Sequence, residues 1–277
     1  MKKFEFTGET KTLFDGTVLH RIKALVRIEF AWMVVEIGEL GGWIEKENNL
    51  SHDGNAWVYG DAEVYGDARV YGNAWVCGDA EVYGDAEVYG DARVYNTAWV
   101  CGDSRVYGNA KVYDDASVYG DAEVYDDASV CGNARVCGNA LVYGNALVYG
   151  NARVSGNALV YGNASVLDNT SVYGNVEVYG NARVSGNARV CGNAEVFRME
   201  HYLVMGPIGS RNAFTTFFRT KDRKIKVVCG CFFGTIDEFL AKVEQTHGDS
   251  KHAKVYRAAV EVALAQLEDV ERRSINA

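Results

Sequence analysis

The pattern of apolar and polar positions repeats every six residues between residues 55 and 198. The unit reads Asn/Asp-Ala-x-Val-Tyr-Gly, and 24 copies follow one another without an insertion or a deletion. Valine takes the fourth place in every copy, and alanine takes the second place in all but three. A fixed short period with small and β-branched residues at set places predicts a solenoid in which each copy forms one short strand.

Side-chain parity indicates which places face the interior. Neighbours along a strand point to opposite sides, so the alanine and valine places share one side and the x and tyrosine places share the other. The x place holds Trp, Glu, Arg, Lys, Ser and Leu, a variety that only solvent tolerates. Alanine and valine are therefore predicted to line the core, with the tyrosines outside. Gly followed by Asn or Asp is predicted to make each corner, because these residues reach left-handed backbone angles most readily.

Substitutions at the tyrosine place indicate how many units complete one turn. Every third copy keeps an aromatic residue, whereas the other two columns also carry Cys, Ser or Leu. Residues 18 apart are therefore predicted to stack, which gives eight triangular coils and a rod roughly 38 Å long. The unbroken aromatic column consists of Tyr71, Tyr89, Tyr107, Tyr125, Tyr143, Tyr161, Tyr179 and Phe197.

The register resembles the hexapeptide repeat of left-handed β-helix proteins, in which a small residue follows an aliphatic one by four places. The lead-in segments Gly41–Ile44, Asn49–Ser51 and Gly54–Tyr59 resemble the YdcK-like branch of that superfamily, which occurs in bacteria and their phages. The resemblance covers roughly residues 38 to 198 and implies a mainly β, left-handed parallel β-helix. It leaves the activity open, because the superfamily holds both acyltransferases and non-catalytic members.

A β-rich cap is predicted over residues 1–54, because a solenoid end exposes open core and unpaired strand edges. Apolar and polar residues alternate over Lys3–Leu13 around a turn at Gly8, and again over Thr17–Ile28. Ile44 and Leu50, six residues apart in the sequence, read as a degenerate first coil.

A small α+β domain is predicted over residues 199–277. Thr235 with Glu238 three residues on forms a capping box, which opens a helix that continues to about His247. Gly248 ends that helix, and Ser250 starts a second one. Four short strands precede the helices, at Tyr202–Met205, Ala213–Thr220, Ile225–Cys229 and Cys231–Phe233.

The outward x column beside the aromatic column predicts a contact surface. Its first four members alternate in sign, so ion pairs between coils are expected: they are Arg69, Glu87, Arg105 and Glu123. Leu141 and Leu159 come next, and together with Tyr143 and Tyr161 they predict an exposed apolar patch. Such patches mark contact with another chain, so we expect a homo-oligomer, either a dimer or a trimer.

Two further features of the rod have competing interpretations. Trp57 and Trp75 stack beside the cap, where packing under it is favoured over binding of sugar or nucleobase rings. Aspartates stack at the corners in two columns, which suits either Ca²⁺ ligation or plain corner chemistry with the charge in water. The second interpretation is favoured, because every corner from Asn133 onward is Asn.

Composition narrows the class of partner and the compartment. The chain has a net charge of −9, and residues 55–198 carry 18 acidic against 9 basic side chains, which argues against nucleic acid. No stretch approaches the ~20 apolar residues of a membrane span, and no signal peptide is recognisable. We therefore expect a cytoplasmic protein, in the host cell if a phage encodes it. Seven cysteines agree with a reducing compartment and no disulfide in the rod.

Candidate chemistry lies outside the repeats. The family's acyltransferases use a histidine base, and none of the five histidines falls in the 24 units, so we expect no catalytic residue there and no cofactor. Cys229-Gly230-Cys231 is interpreted as a pair of buried core thiols rather than a metal site. A turn with amides, a hydroxyl and cations predicts a site for a small anion, formed by Gly209, Ser210, Arg211, Arg219 and Lys221.

Three functions from different classes follow. The favoured one is a non-catalytic scaffold, a phage or prophage accessory protein, that oligomerises and presents its C-terminal domain to a protein partner or a small anionic ligand. The second is an acyl-CoA-dependent acyltransferase that uses His201, His247 or His252. The third is a fibre or surface protein that binds carbohydrate along the tyrosines.

Overall fold

A computed structural model describes residues 1–268. The repeat region winds as a parallel β-solenoid in which each unit supplies one short strand and each strand pairs with the strand three units further along the chain. The predicted period of three units per turn is thereby confirmed. A further turn, formed by Leu40–Ile44 and the Leu50–Val70 bridge, precedes the eight regular ones, as the spacing of Ile44 and Leu50 predicts.

Three sheets form the sides of the solenoid, and we call them the long face, the tyrosine face and the tryptophan face. The long face holds Leu40–Ile44, Glu63–Val64, Glu81–Val82, Trp99–Val100, Ser117–Tyr119, Arg135–Cys137, Arg153–Gly156, Ser171–Gly174 and Arg189–Gly192. The tyrosine face holds Arg69–Val70, Glu87–Val88, Arg105–Val106, Glu123–Val124, Leu141–Val142, Leu159–Val160, Glu177–Val178 and Glu195–Val196. The tryptophan face holds Trp57–Val58, Trp75–Val76, Arg93–Val94, Lys111–Val112, Ser129–Val130, Leu147–Val148, Ser165–Val166 and Arg183–Val184.

The interior of the solenoid consists of the alanine and valine places, as side-chain parity predicts. Val124 and Ala122 have no exposed surface, and the other members of both columns are equally buried or nearly so. Backbone amides bind the next coil: Arg105 donates to the Ala122 carbonyl and Tyr107 to the Val124 carbonyl, both at 3.0 Å. Small side chains let the three sheets approach closely, so the core is filled without large residues.

Only the first residue of each corner adopts the left-handed backbone conformation. That residue has a positive φ at every corner between two repeat units, whether it is glycine, as at Gly90 (φ 70°), or one of four substitutes. The Asn or Asp that follows has no positive φ anywhere in residues 55–198, so the expectation that both corner residues adopt left-handed angles is wrong for the second. The substitutes are the residue types that tolerate this region best, namely Asn96, Asp114, Asp126 and Asp168.

The N-terminal segment closes one end of the rod by extending the long face. Phe4–Thr12 pairs antiparallel with Val18–Ala24, which pairs antiparallel with Leu40–Ile44. Gly8 (φ 93°) lies at an irregularity inside the first strand, so the turn expected there is wrong. The chain reverses instead between the two strands, where the Leu13 amide donates to the Thr17 carbonyl at 2.8 Å.

The cap also has two short strands, Ile28–Glu29 and Val34–Val35. Phe30, between them in the sequence, packs on the tryptophan face. Phe30 meets the edge of Trp75 at 4.8 Å between ring centroids, and Trp57 is fully buried. The packing interpretation of these tryptophans is confirmed. A short 3-10 helix, Glu47–Asn49, completes the cap.

The C-terminal domain closes the other end. Its antiparallel sheet packs Phe218 and Val228 into the core of the solenoid, while Phe217 and Val227 face a second core beneath two helices. The Ala194–Thr220 bridge adds a backbone contact to the last coil. The sheet comprises Tyr202–Ile208, Ala213–Arg219, Ile225–Cys229 and Phe232–Thr235, after a 3-10 helix at Met199–His201.

The two helices follow the predicted signals. Helix α1 spans Ile236–His247 and begins with the predicted capping box, in which the Thr235 hydroxyl accepts from the Glu238 amide at 3.2 Å. Helix α2 spans Lys251–Glu268 and buries Ala253, Tyr256 and Val260 against the sheet. No helix within residues 1–268 is long and apolar enough to cross a membrane.

The close approach of successive corners predicts a position-dependent cost of replacing glycine. A Cβ at Gly90 would lie 2.9 Å from the Gly108 amide nitrogen, whereas a Cβ at Gly186 (φ 76°) meets nothing within 4 Å. Both Gly90→Ala and Gly186→Ala impose a left-handed conformation, which costs about 1–2 kcal/mol. We expect Gly90→Ala to lower the thermal unfolding midpoint clearly more than Gly186→Ala. Equal shifts would contradict the steric account of the corner.

Candidate functional site

The aromatic column of the tyrosine face is a continuous stack. Successive tyrosine rings from Tyr71 to Tyr179 lie 4.7–5.0 Å apart between centroids and within 5° of parallel. Phe197 ends the stack at 5.2 Å with a tilt of 28°. The spacing equals the distance between neighbouring strands, so the backbone sets it. The column lies outside the core with its rings half-buried.

Glutamates of the next coil accept hydrogen bonds from four of the seven tyrosine hydroxyls of this stack. Tyr107 donates to Glu123 at 2.9 Å, and the same carboxylate pairs with Arg105 at 3.3 Å. Arg69 pairs with Glu87 in the same way, so the predicted ion pairs between coils are confirmed at these two positions. Burial, followed by the carboxylate of Glu87, raises the pKa of Tyr71 to about 12.

The leucine patch, defined as Leu141, Tyr143, Leu159 and Tyr161, interrupts this network. Leu141 and Leu159 pair directly across neighbouring strands. For Tyr125 and Tyr143 they occupy the place from which four other coils offer a glutamate to the tyrosine hydroxyl, and Arg105 occupies it for Tyr89. All four members of the patch are half-buried, because neighbouring side chains of the same face cover part of each. The patch is therefore less exposed than expected, yet it remains contiguous.

The residues predicted to hold an anion lie at three separate places. Ser210 and Arg211 line a cavity of about 190 Å³ beside α1, and Arg219 lines a different cavity of about 680 Å³. Lys221 forms an ion pair with Glu177 of the tyrosine face, with 2.5 Å between Nζ and Oε1. The pairing explains why Lys221 is turned toward the rod.

Gly209 has a packing role in the same loop. Its φ is +73°, and a Cβ at this position would lie 1.9 Å from the hydroxyl oxygen of Tyr256. Only glycine lets the loop lie directly against that hydroxyl. The loop therefore carries Ser210 and Arg211 to the edge of the smaller cavity.

The cysteine pair differs from its interpretation as buried core thiols. Cys229 ends a strand half-buried, and the Thr215 hydroxyl donates to its sulfur at 3.3 Å, but Cys231 is exposed. Gly230 (φ 61°) and Cys231 form the turn between two strands, so strand parity does not apply to Cys231. All seven cysteines are free thiols.

The histidines occupy different environments. His201 is 1% exposed, with its ring edge against Phe197 at 4.0 Å between centroids. Its Nδ1 accepts from the Phe197 amide at 3.5 Å, and its Nε2 has no partner within the described residues. His52 accepts from the Lys3 amide at 3.1 Å and stacks on Phe4, a packing role. His247 lines the smaller cavity.

Within residues 1–268, no group of three or more His, Cys, Asp or Glu side chains is arranged to hold a metal ion. Two members of the aspartate columns make protein contacts: Asp67 pairs with Lys46 at 2.5 Å, and Asp115 accepts from the Thr97 hydroxyl at 2.6 Å. Asparagine corners bond to each other in the same columns, as Asn139 does to Asn157 at 3.1 Å. These contacts give the corners a structural role.

The buried His201 predicts a pH-dependent stability. Burial, followed by repulsion from Arg219 and Arg198, lowers the pKa of His201 to about 4. In the unfolded chain the pKa of this histidine is near 6.5. Between pH 6.5 and 4 the unfolded chain therefore binds more protons than the folded one, so stability is lost as the pH falls through that window. At pH 5 the loss is about 2 kcal/mol.

The measurement is the denaturation midpoint of the full chain and of His201→Gln at pH 7 and pH 5. Glutamine keeps a hydrogen-bond acceptor but does not titrate, so the variant should lose clearly less stability between the two values. An equal loss in both proteins would refute the role of His201.

A family model described as YdcK Beta solenoid repeat matches several segments of the rod, at residues 62–78, 86–102, 134–150, 142–156, 146–162, 152–168 and 177–192. No curated protein matches the chain. The matched segments fall on all three faces of the solenoid. These segments of the rod are therefore similar to the YdcK β-solenoid repeat.

Proposed function

We propose that the protein is a non-catalytic scaffold, in which the rod self-associates through the leucine patch and presents the C-terminal domain to a partner or a small anionic ligand. A role as a phage or prophage accessory protein in the cytoplasm is part of the proposal. The observation that carries it is the interruption of the tyrosine–glutamate network by Leu141 and Leu159, the only apolar residues at the x place of this face.

The rod suits a spacer of fixed length. Its core is closed along the sides by three sheets, and its two ends are covered by the N-terminal strands and the C-terminal sheet. Phe4–Thr12 remains an edge strand of the long face, but the apolar core itself is covered at both ends, so the apolar surface open to a partner lies on the sides of the rod. Arg69, Glu87, Arg105 and Glu123 satisfy one another on the tyrosine face, which leaves the leucine patch as its apolar part.

The charges beside the patch permit a second copy as the partner. A two-fold axis between Leu141 and Leu159 would place each leucine against the other, and Glu123 against Glu177. Both glutamates already have cations of their own chain, because Arg105 pairs with Glu123 and Lys221 with Glu177. Such a self-complementary patch suits an isologous dimer, so we favour the dimer over the trimer.

Introducing charge into the patch should separate the copies. In Leu141→Glu/Leu159→Glu, two carboxylates would face two others across the interface, which destabilises association. We expect the wild-type chain to sediment as a dimer and the variant as a monomer. Stacked glutamates already occur at Glu177 and Glu195, so the rod should tolerate the change.

Leu147→Glu is the matched control. Leu147 is equally half-buried but lies on the tryptophan face, between Ser129 and Ser165, and its replacement should leave the dimer intact. A wild-type monomer at all concentrations, or an unchanged mass in the double variant, would refute the proposed interface.

A further inference from the structure

A cavity of about 190 Å³ lies in the C-terminal domain, away from the leucine patch. Helix α1 forms one wall, and the turns at residues 209–212 and 229–232 form the others. Phe232, Phe239 and Val243 line it with apolar surface. An apolar cavity of ~150 Å³ is large enough for benzene, so this one has room for one six-membered ring with a small substituent.

The charged side chains that line the cavity all have the same sign. Arg211 and Lys242 are cationic, and no Asp or Glu side chain lines the cavity within the described part of the chain. This local sign opposes that of the protein, whose net charge is −9. Cations gathered at an apolar cavity favour a ligand with one negative end.

Arg211 is placed to meet that negative end. It is exposed, and its Nη1 lies 3.4 Å from the position that a Cβ on Gly230 would take. The guanidinium therefore lies across the turn at the mouth of the cavity. Its forked donors match the two oxygens of a carboxylate.

Tyr256 of α2 supports the loop that carries Arg211. Tyr256 is only 6% exposed, and its hydroxyl accepts from the Cys229 thiol at 3.8 Å. The Ser210 backbone bonds to the same hydroxyl, and Gly209 lies directly against it. These contacts fix the loop beside the cavity and so position Arg211 for a ligand.

We propose that this cavity binds a small monocarboxylate with an apolar body of about one ring, whose carboxylate pairs with Arg211 and whose ring lies over Phe239 and Val243. The inference rests on the proposed presentation of the C-terminal domain, for which it names the class of small anionic ligand. Arg219 and Lys221 take no part in this binding, because Arg219 lines the larger cavity and Lys221 pairs with Glu177.

Benzoate and benzamide are the probes, with binding to the full chain measured by calorimetry and by changes in the amide spectrum. The two probes share size and ring but differ in charge. We expect saturable benzoate binding, and binding of benzamide that is weaker by about tenfold or more. Arg211→Gln should weaken benzoate by a similar factor, whereas Lys254→Gln, which removes an exposed cation of α2 outside the cavity, should not.

A steric variant gives an independent test. Thr246 is exposed and lines the cavity, so Thr246→Trp should fill its mouth and abolish benzoate binding without disturbing the core. Absence of saturable benzoate binding, or unchanged affinity in both Arg211→Gln and Thr246→Trp, would overturn the proposal. Leu141→Glu/Leu159→Glu should bind benzoate normally, so failure of the interface and failure of this site are distinguishable.

Discussion

The structure depends on the stacking of identical backbone positions in successive coils. Each coil donates its amides to carbonyls of the next, as Tyr107 does to Val124 at 3.0 Å, and that spacing dictates every other contact. It keeps the tyrosine rings at 4.7–5.0 Å and brings corner glycines so close that a Cβ at Gly90 would meet the next backbone at 2.9 Å. Small core residues and positive-φ corners are consequences of this geometry.

The same periodicity explains where functional features arise. In a solenoid of uniform units, polar side chains of one coil find partners on the next coil, because the same repeat positions stack on each other all along the rod. Tyr107, Arg105 and Glu123 show this satisfied state. A departure from the unit, such as Leu141 beside Leu159, leaves a surface that the rod itself does not satisfy. The C-terminal domain, which is free of the period, is the place where a cavity with mixed chemistry can form.

Much of the rod was predictable because its physics is local and repeated. Parity placed Ala122 and Val124 inside, and the aromatic column revealed the coil length. The corners were only half predicted, since sequence alone does not separate the Gly place from the Asn place that follows it. In the flanking domains each position occurs only once, so no repeat is there to correct a wrong prediction. Gly8, predicted to form a turn, lies in an irregular strand, and Cys231, predicted to be buried, lies in a turn.

The candidate site was harder to predict than the fold, because it depends on contacts between distant segments. Ser210, Arg211 and Lys221 are close in sequence, but Lys221 turns toward Glu177 while Arg211 joins His247 and Tyr256. The side chains of α1 that complete the cavity could not be assigned to it before the packing of the helix was known. The one available signal was the cationic turn itself.

Two rods are proposed to associate laterally through the leucine patch. Small-angle X-ray scattering tests this association most directly, because it reports mass and longest dimension together. Lateral association predicts a particle of two 30.4 kDa chains whose longest dimension falls well short of twice that of one chain. A single-chain mass, or a two-chain particle of doubled length, would contradict it.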